Sequence, residues 1–327
     1  MAKIVGAVFT SHGGFTSTSV HQWQKIRTGR SYRSDVPCES AEEMNDKWRR
    51  IASGKQILRE RVSALHPDVL VVFGDDQQEC FDFTNHPSLA VYLGENFHGR
   101  APLMESDSEE MKPTEIRSAS GYPGLATAIT SGLLTSGFDP AFMTGLPRPE
   151  VGMSHAVMKP LAYLTDFDVP TVPILINAYY APQITGKRCY EVGIAVRHVV
   201  ESYDEDLRVV IVGSGGLWHT PGEQESWINE DFDQTGLGFL ATGDAAAWAT
   251  YFDGYVPDPH DLSQDAMRVR RGVSGLPQSV GPQGGTRETL CWICASAVAE
   301  GSSSHIVDYV PAYASPAGLA FAYTEEM

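Results

Sequence analysis

Basic residues are scarce. Across 327 residues there are 24 Lys+Arg against 41 Asp+Glu, a formal net charge of −17, and only 20% of positions are charged. That balance argues against nucleic acid as a ligand, because a phosphate backbone needs Lys and Arg to neutralise it. An anionic membrane surface is disfavoured for the same reason. Cysteine is also sparse. Cys38, Cys80, Cys189, Cys291 and Cys294 are scattered and odd in number, which excludes a disulfide framework and suits a reduced protein. No stretch approaches the roughly 20 apolar residues of a membrane span. The N-terminal MAKIVGAVFTSHGG lacks the charged n-region, long h-region and cleavage site of a signal peptide. A soluble, cytoplasmic protein without a membrane partner is expected.

Several catalytic signatures are missing as well. There is no GxxxxGK[ST] phosphate loop, no GxSxG elbow and no HExxH. The GSGG at 213–216 is not GxGxxG and precedes neither an obvious helix nor a ribose-binding acid. The lone CxxC, Cys291 to Cys294, lies in the apolar run LCWICASAVA. Without a second pair it reads as two buried helical thiols rather than a zinc or redox site.

What the chain does have is a core: 42% of its residues are hydrophobic, with 31 Gly and 20 Pro to punctuate them. Short apolar runs at 4–9, 69–73, 172–176 and 209–212 read as strands, the second as one buried on both faces and the third as another buried strand. Helical periodicity covers 41–65, stopping before His66-Pro67, and again 125–137, 188–203 and 286–299. Residues 257–285 read as a long polar surface loop. Strand–helix–strand alternation predicts an α/β fold, a single domain over 1–327 with a mostly parallel central sheet flanked by helices.

In such sheets ligands bind outside the carboxyl ends of the strands. His12 follows the first strand, Asp75-Asp76-Gln77 the second run, and His219 the 209–212 strand after a glycine turn. His155 sits in the loop Gly-Met-Ser-His-Ala. Any one of these could simply cap a helix or close its own turn. Together they form the convergent polar cluster that a pocket needs. His21, His66, His86, His98, His198, His260 and His305 lack a comparable context and read as surface or structural residues.

Ordered motifs through about nine-tenths of the chain then acquire a meaning. They are Ser11-His12; Pro67-Asp68-Val69 with Gly74-Asp75-Asp76-Gln77; Ser154-His155-Ala156 with Pro160-Leu161; and Gly186-Lys187-Arg188-Cys189-Tyr190. Then come Val212-Gly-Ser-Gly-Gly-Leu-Trp-His219, Ile228-Asn229-Glu230-Asp231-Phe232-Asp233, Glu288-Thr-Leu-Cys-Trp292 and Val310-Pro311-Ala-Tyr-Ala-Ser315. This set resembles the class III extradiol ring-cleavage dioxygenases, specifically the protocatechuate 4,5-dioxygenase β-subunit family. The resemblance implies a single α/β domain holding one Fe(II) by two histidines and a glutamate. It makes His12 the first ligand and Glu288 the carboxylate, a residue that the pattern of the sequence alone does not single out. It makes His219 the catalytic histidine and His155 a second active-site histidine near a substrate hydroxyl. Ser11 and the turn with Gly215 and Gly216 would offer hydrogen bonds to substrate.

The second ligand departs from the pattern: where the family has Asn-Asp-His, this chain has Asp75-Asp76-Gln77. Gln77 could be a weak third ligand, Asp75 or Asp76 could take over, or the metal could be lost. His86 would substitute only if its loop folded back. Two functions follow. One is an Fe(II)-dependent dioxygenase opening a catechol-like or aminophenol-like aromatic, an aromatic acid for preference, with O2. The other is a non-oxygenase that keeps the fold and binds a ligand or partner through an altered site. Retention of His12, His155, His219 and Glu288 favours the first. The resemblance leaves a homodimer and a small helical partner subunit both open, along with the meaning of the Lys187-Arg188 pair.

Overall fold

Apolar alternation sets the frame of the computed structural model, which describes residues 1–28, 31–102, 114–178, 180, 183–219, 226–255, 269–271, 277–279, 285–324 and 327. The strands are β1 (Lys3–Ser11), β2 (Val69–Asp75), β3 (Leu89–Tyr92), β4 (Asn96–Pro102), β5 (Thr114–Ser120), β6 (Ala141–Met143), β7 (Thr171–Ile176), β8 (Arg208–Gly215), β9 (Val269–Arg271), β10 (Pro277–Ser279), β11 (Ser304–Ala312) and β12 (Ala317–Thr324). The helices are α1 (Val20–Thr28), α2 (Ala41–Leu65), α3 (Pro123–Thr135), α4 (His155–Leu164), α5 (Gly186–Ser202), α6 (Glu230–Thr242), α7 (Ala245–Gly254) and α8 (Thr289–Val298).

Eight strands form one sheet in the order β11-β12-β1-β8-β2-β7-β3-β6. Its centre, β1-β8-β2-β7, is parallel throughout. β12 and β11 are added antiparallel at one side, and β3 runs antiparallel to β7 at the other. Every residue of β2 is buried. Val69, Val71 and Phe73 enter one apolar core while Leu70 and Val72 enter the other, as period-two alternation requires of a strand covered on both faces. The first core takes apolar side chains from α3, α5, α7 and α8, and the second takes them from α2 and α4. The sheet is thus the middle of three layers.

α2 shows how local chemistry starts an element. Ser40 accepts the Glu43 backbone N–H while the Glu43 carboxylate accepts that of Ser40, a reciprocal cap that satisfies two otherwise orphaned donors. Met44, Ile51, Leu58 and Val62 then form the buried stripe, each worth roughly 1.5–3 kcal/mol of transfer from water. The helix ends at Leu65 as expected, but His66 takes a left-handed φ of 45°. That is the geometry of a helix C-cap, not the extended one proline favours in its predecessor.

The remaining strands and helices expected from periodicity appear with ends shifted by a few residues, and Cys291 and Cys294 lie buried and free on α8. Two expectations change. The glycines at 213–215 are strand, not turn, because β8 runs on to Gly215. His155 is not in a loop: it is the first residue of α4, capped by Ser154, whose side chain accepts the Ala156 N–H. The loop expected at 257–285 lies largely outside the described residues. Its described parts include β9 and β10, which pair antiparallel. Among the described residues no helix is long and apolar enough to cross a membrane.

Candidate metal centre

Three adjacent parallel strands bring their carboxyl ends to one edge. β1 ends in Ser11 and is followed by His12, β2 ends in Asp75 and leads to Gln77, and β8 lies between them with Gly215 and Gly216. Glu288 joins from the 3-10 turn Gly285–Glu288 before α8. The glycines admit it. A Cβ on Gly215 would lie 2.3 Å from the Glu288 carbonyl oxygen, and one on Gly213 only 3.0 Å from the Ala295 Cβ of α8. On Gly216 it would strike the His219 ring at 2.6 Å. The stretch expected to donate to substrate therefore creates space for two functional side chains.

His12, Asp75 and Glu288 are buried and offer ligand atoms that all lie within 4.8 Å of one another. His12 Nε2 is 3.1 Å from Glu288 Oε2 and 3.5 Å from Asp75 Oδ1. The tautomer follows from the partners of Ser214. Its hydroxyl donates to the Ala156 carbonyl at 2.5 Å, so its oxygen accepts from His12 Nδ1 at 3.0 Å. The lone pair of Nε2 then faces the two carboxylates. His12 Nε2 and Asp75 Oδ1 are both buried without a hydrogen-bond partner. Converging lone pairs on nitrogen and oxygen call for a cation, and the donor set fits a divalent metal of the Fe(II) or Mn(II) kind. A backing hydrogen bond on the far nitrogen is the usual support for a ligating histidine.

Asp75 occupies the third corner. Gln77 presents its amide nitrogen, donating to Asp75 Oδ2 at 3.0 Å and to Glu288 Oε1 at 2.7 Å, and so spans the two carboxylates. Asp76 turns away and accepts the backbone N–H groups of Cys80 and Phe81. Burial pushes its carboxyl up to about 6. His86 packs against Phe81, Phe83 and Tyr180 instead of joining the cluster. Burial opposes the charge of Glu288, but His219 beside it holds its carboxyl well below the usual range. Asp75 is pushed up to about 8, by burial first and by the charge of Glu288 second.

Both remaining histidines flank the cluster. The His155 ring meets His12 edge-on with centroids 4.8 Å apart, and its Nδ1 donates to Glu79 Oε1 at 2.5 Å. Glu79 is a functional residue that sequence reasoning missed. Its signal was a half-buried acid two residues beyond Gln77, in a turn that reads as solvated. Burial works against its charge, yet His155 holds its carboxyl down to about 2. His219 places Nε2 3.2 Å from Glu288 Oε1 and Nδ1 3.0 Å from the Leu217 carbonyl. Burial disfavours its cation, but Glu288 raises it to about 9. Lys159, one turn along α4 from His155, was also missed. Its buried ammonium donates to the His12 carbonyl at 3.0 Å.

Two other expectations resolve elsewhere. The Ser11 oxygen accepts the Ala320 backbone N–H of β12 at 3.1 Å, which ties it to the sheet. Arg188 lies over the Phe138 ring at 3.8 Å, donates to the Gly137 carbonyl and pairs with Glu191 at 3.4 Å.

A buried nitrogen-and-oxygen cluster at the carboxyl ends of parallel strands, flanked by two hydrogen-bonded histidines, defines a candidate metal centre. Residues 36–253 match the family model described as the catalytic LigB subunit of aromatic ring-opening dioxygenase, and the chain belongs to this family. His12 and Glu288 lie outside the matched span, so their place in the site rests on the geometry above. A gallate dioxygenase from Pseudomonas putida is 32% identical over 169 residues, 50% of this chain and 44% of that protein. A 2,3-dihydroxyphenylpropionate/2,3-dihydroxicinnamic acid 1,2-dioxygenase from Klebsiella pneumoniae is 29% identical over 165 residues, 50% of this chain and 47% of its own. The matched region thus spans about half the length of these curated relatives. Among solved structures, that of an uncharacterized Escherichia coli K12 protein aligns with a TM-score of 0.43 and 13% identity, over 97% of this chain and 99% of that one.

Proposed function

We propose that the protein is a metal-dependent dioxygenase that opens the ring of a catechol-like or aminophenol-like aromatic acid with O2, using Fe(II) held by His12, Asp75 and Glu288. The observation that carries the reading is the pair of orphaned polar atoms, His12 Nε2 and Asp75 Oδ1, buried beside the Glu288 carboxyl. Support for the substrate class comes from relatives whose names specify gallate and 2,3-dihydroxyphenylpropionate, both ring acids with neighbouring hydroxyls. His12, Asp75 and Glu288 would hold a divalent metal there, and it would supply Lewis-acid activation of a vicinal diol and O2.

The chain's own residues manage the protons. With Nδ1 committed to Glu79, His155 is left with Nε2 to take the proton of a substrate hydroxyl. His219 has an acceptor at each ring nitrogen, which makes it the proton-bearing partner and the donor to the developing product. Burial of the cluster excludes the water that would compete with both transfers. The five free cysteines accord with a reduced, cytoplasmic setting.

The test is anaerobic reconstitution with Fe(II), metal quantification, then exposure to air with a panel of catechols and aminophenols. Near-stoichiometric iron, oxygen uptake and a ring-opened chromophore are expected. Failure to bind iron, with no oxygen consumed across the panel, would leave the alternative of a non-oxygenase built on the same fold.

A further inference from the structure

We propose that a cavity of about 300 Å³ between α6, α7 and the turn before α8 is a second binding site, for a single-ring aromatic carboxylate. It needs neither a metal nor ring cleavage and so stands independently of the dioxygenase reading.

Its walls are aromatic. Trp218, Phe232, Phe252 and Tyr255 line it, with the rings of Phe232 and Tyr255 4.8 Å apart and those of Trp218 and Phe232 5.6 Å apart in edge-on contacts. Such walls take a further ring in the same offset geometry. The volume is at the lower end for small-molecule pockets, which suits one ring and not two.

The charge in the cavity selects an anion. Arg287 lines it beside Asp253, and Arg287 Nε is buried without a hydrogen-bond partner. The guanidinium lies over the Phe252 ring at 5.6 Å, and among the described residues it makes no ion pair. Asp253 keeps its charge nearby, but its oxygens are engaged elsewhere and make no ion pair with the guanidinium. One of its oxygens accepts the Gly186 N–H at 2.7 Å and the other the Lys187 N–H at 2.8 Å, fixing the start of α5. A partly buried guanidinium without an acceptor is costly, and a carboxylate matches its planar fork. Aromatic walls and one unpaired guanidinium together describe an aromatic carboxylate.

The cavity and the metal cluster are separate. Glu288 touches His12, Gln77 and His219, none of which lines the cavity. They are nevertheless joined through two peptide links, Trp218 to His219 and Arg287 to Glu288. Any influence of one site on the other is therefore reciprocal.

The experiment uses the metal-free full chain, titrated with benzoate and with its neutral isostere benzamide, by calorimetry and tryptophan fluorescence. One equivalent of benzoate binds, with benzamide about tenfold weaker or more, as loss of a charge-assisted hydrogen bond dictates. Arg287→Met removes that preference, whereas His12→Ala leaves benzoate binding unchanged. Crystals of the unaltered protein soaked with 4-bromobenzoate locate the ligand without any variant. An anomalous bromine signal between Phe232 and Phe252 supports the proposal. Bromine at the His12 cluster, benzoate affinity that survives Arg287→Met or is lost in His12→Ala, equal affinity for benzamide, or no binding at millimolar concentration overturns it.

Discussion

Glu79 Oε1 receives two hydrogens from one residue: the ring Nδ1–H of His155 at 2.5 Å and its backbone N–H at 3.1 Å. The carboxylate thereby fixes both the first residue of α4 and the orientation of its imidazole. Replacing Glu79 by Gln keeps an acceptor but removes the charge. The turnover rate should fall roughly 10–100-fold, the usual cost of losing a partner that orients an active-site histidine. Metal content should stay as it is, and Glu79→Asp should recover part of the loss. Full turnover in the Gln variant, with iron measured in the same sample, would count against His155 as a proton acceptor.

Asp75 and Gln77 can be told apart by metal affinity. Asp75→Asn removes a ligand and should weaken divalent binding by more than the roughly 10–100-fold that an outer partner costs. Gln77→Ala removes only the amide that spans the two carboxylates and should fall within that range. Competition with a fluorescent chelator gives both numbers. The reverse ranking would make residue 77 the ligand and Asp75 the support.

Gly216 should not tolerate a methyl group. A Cβ there meets His219 Cε1 at 2.6 Å and Glu288 Oε2 at 3.2 Å, and both atoms belong to groups held in place by hydrogen bonds. Gly216→Ala is expected to destabilise the fold by about 1–3 kcal/mol through overpacking and to suppress turnover further. Thermal melts alongside steady-state rates would reveal an unperturbed variant if the contact is softer than this.

Asp233 predicts a pH dependence of stability. Burial pushes its carboxyl up to about 7, against the Trp218 N–H and Tyr309 O–H that donate to it. Its folded-state value therefore exceeds the unfolded one of about 4. The stabilisation is complete below about pH 4 and is lost as pH rises through about 7, on the order of 4 kcal/mol in all. Urea titrations of the parent and Asp233→Asn at pH 5 and pH 8 isolate this contribution. The parent should lose more stability than the variant over that interval; parallel behaviour would mean that Asp233 titrates normally.

The parallel centre of the fold was legible because β2, β7 and β8 are buried on both faces and read as unbroken apolar runs. The antiparallel margin was not. β11 is half-buried along most of its length with no clean alternation, and β3 and β6 are too short to carry a pattern. α4 was hidden because Pro160 lies inside it and proline ordinarily argues against a helix interior. In the site, His12 and His219 could be found from their places after strands. Glu288 could be found only by resemblance, since a glutamate at a helix start usually serves the helix itself. Asp75 and Gln77 exchanged expected parts for a reason of geometry. The strand carries Asp75 directly to the cluster, while the next turn brings Gln77 back across it.

The cluster draws its donors from the end of the first strand, the second strand and the turn before α8, and none of these segments can find the others before the sheet has closed. An ion held at His12, Asp75 and Glu288 therefore binds the folded chain and not the unfolded one. At a free concentration a hundredfold above its dissociation constant it adds about 2.7 kcal/mol to the free energy of unfolding. Starvation for the ion would then shorten the lifetime of the protein itself as well as silence its chemistry.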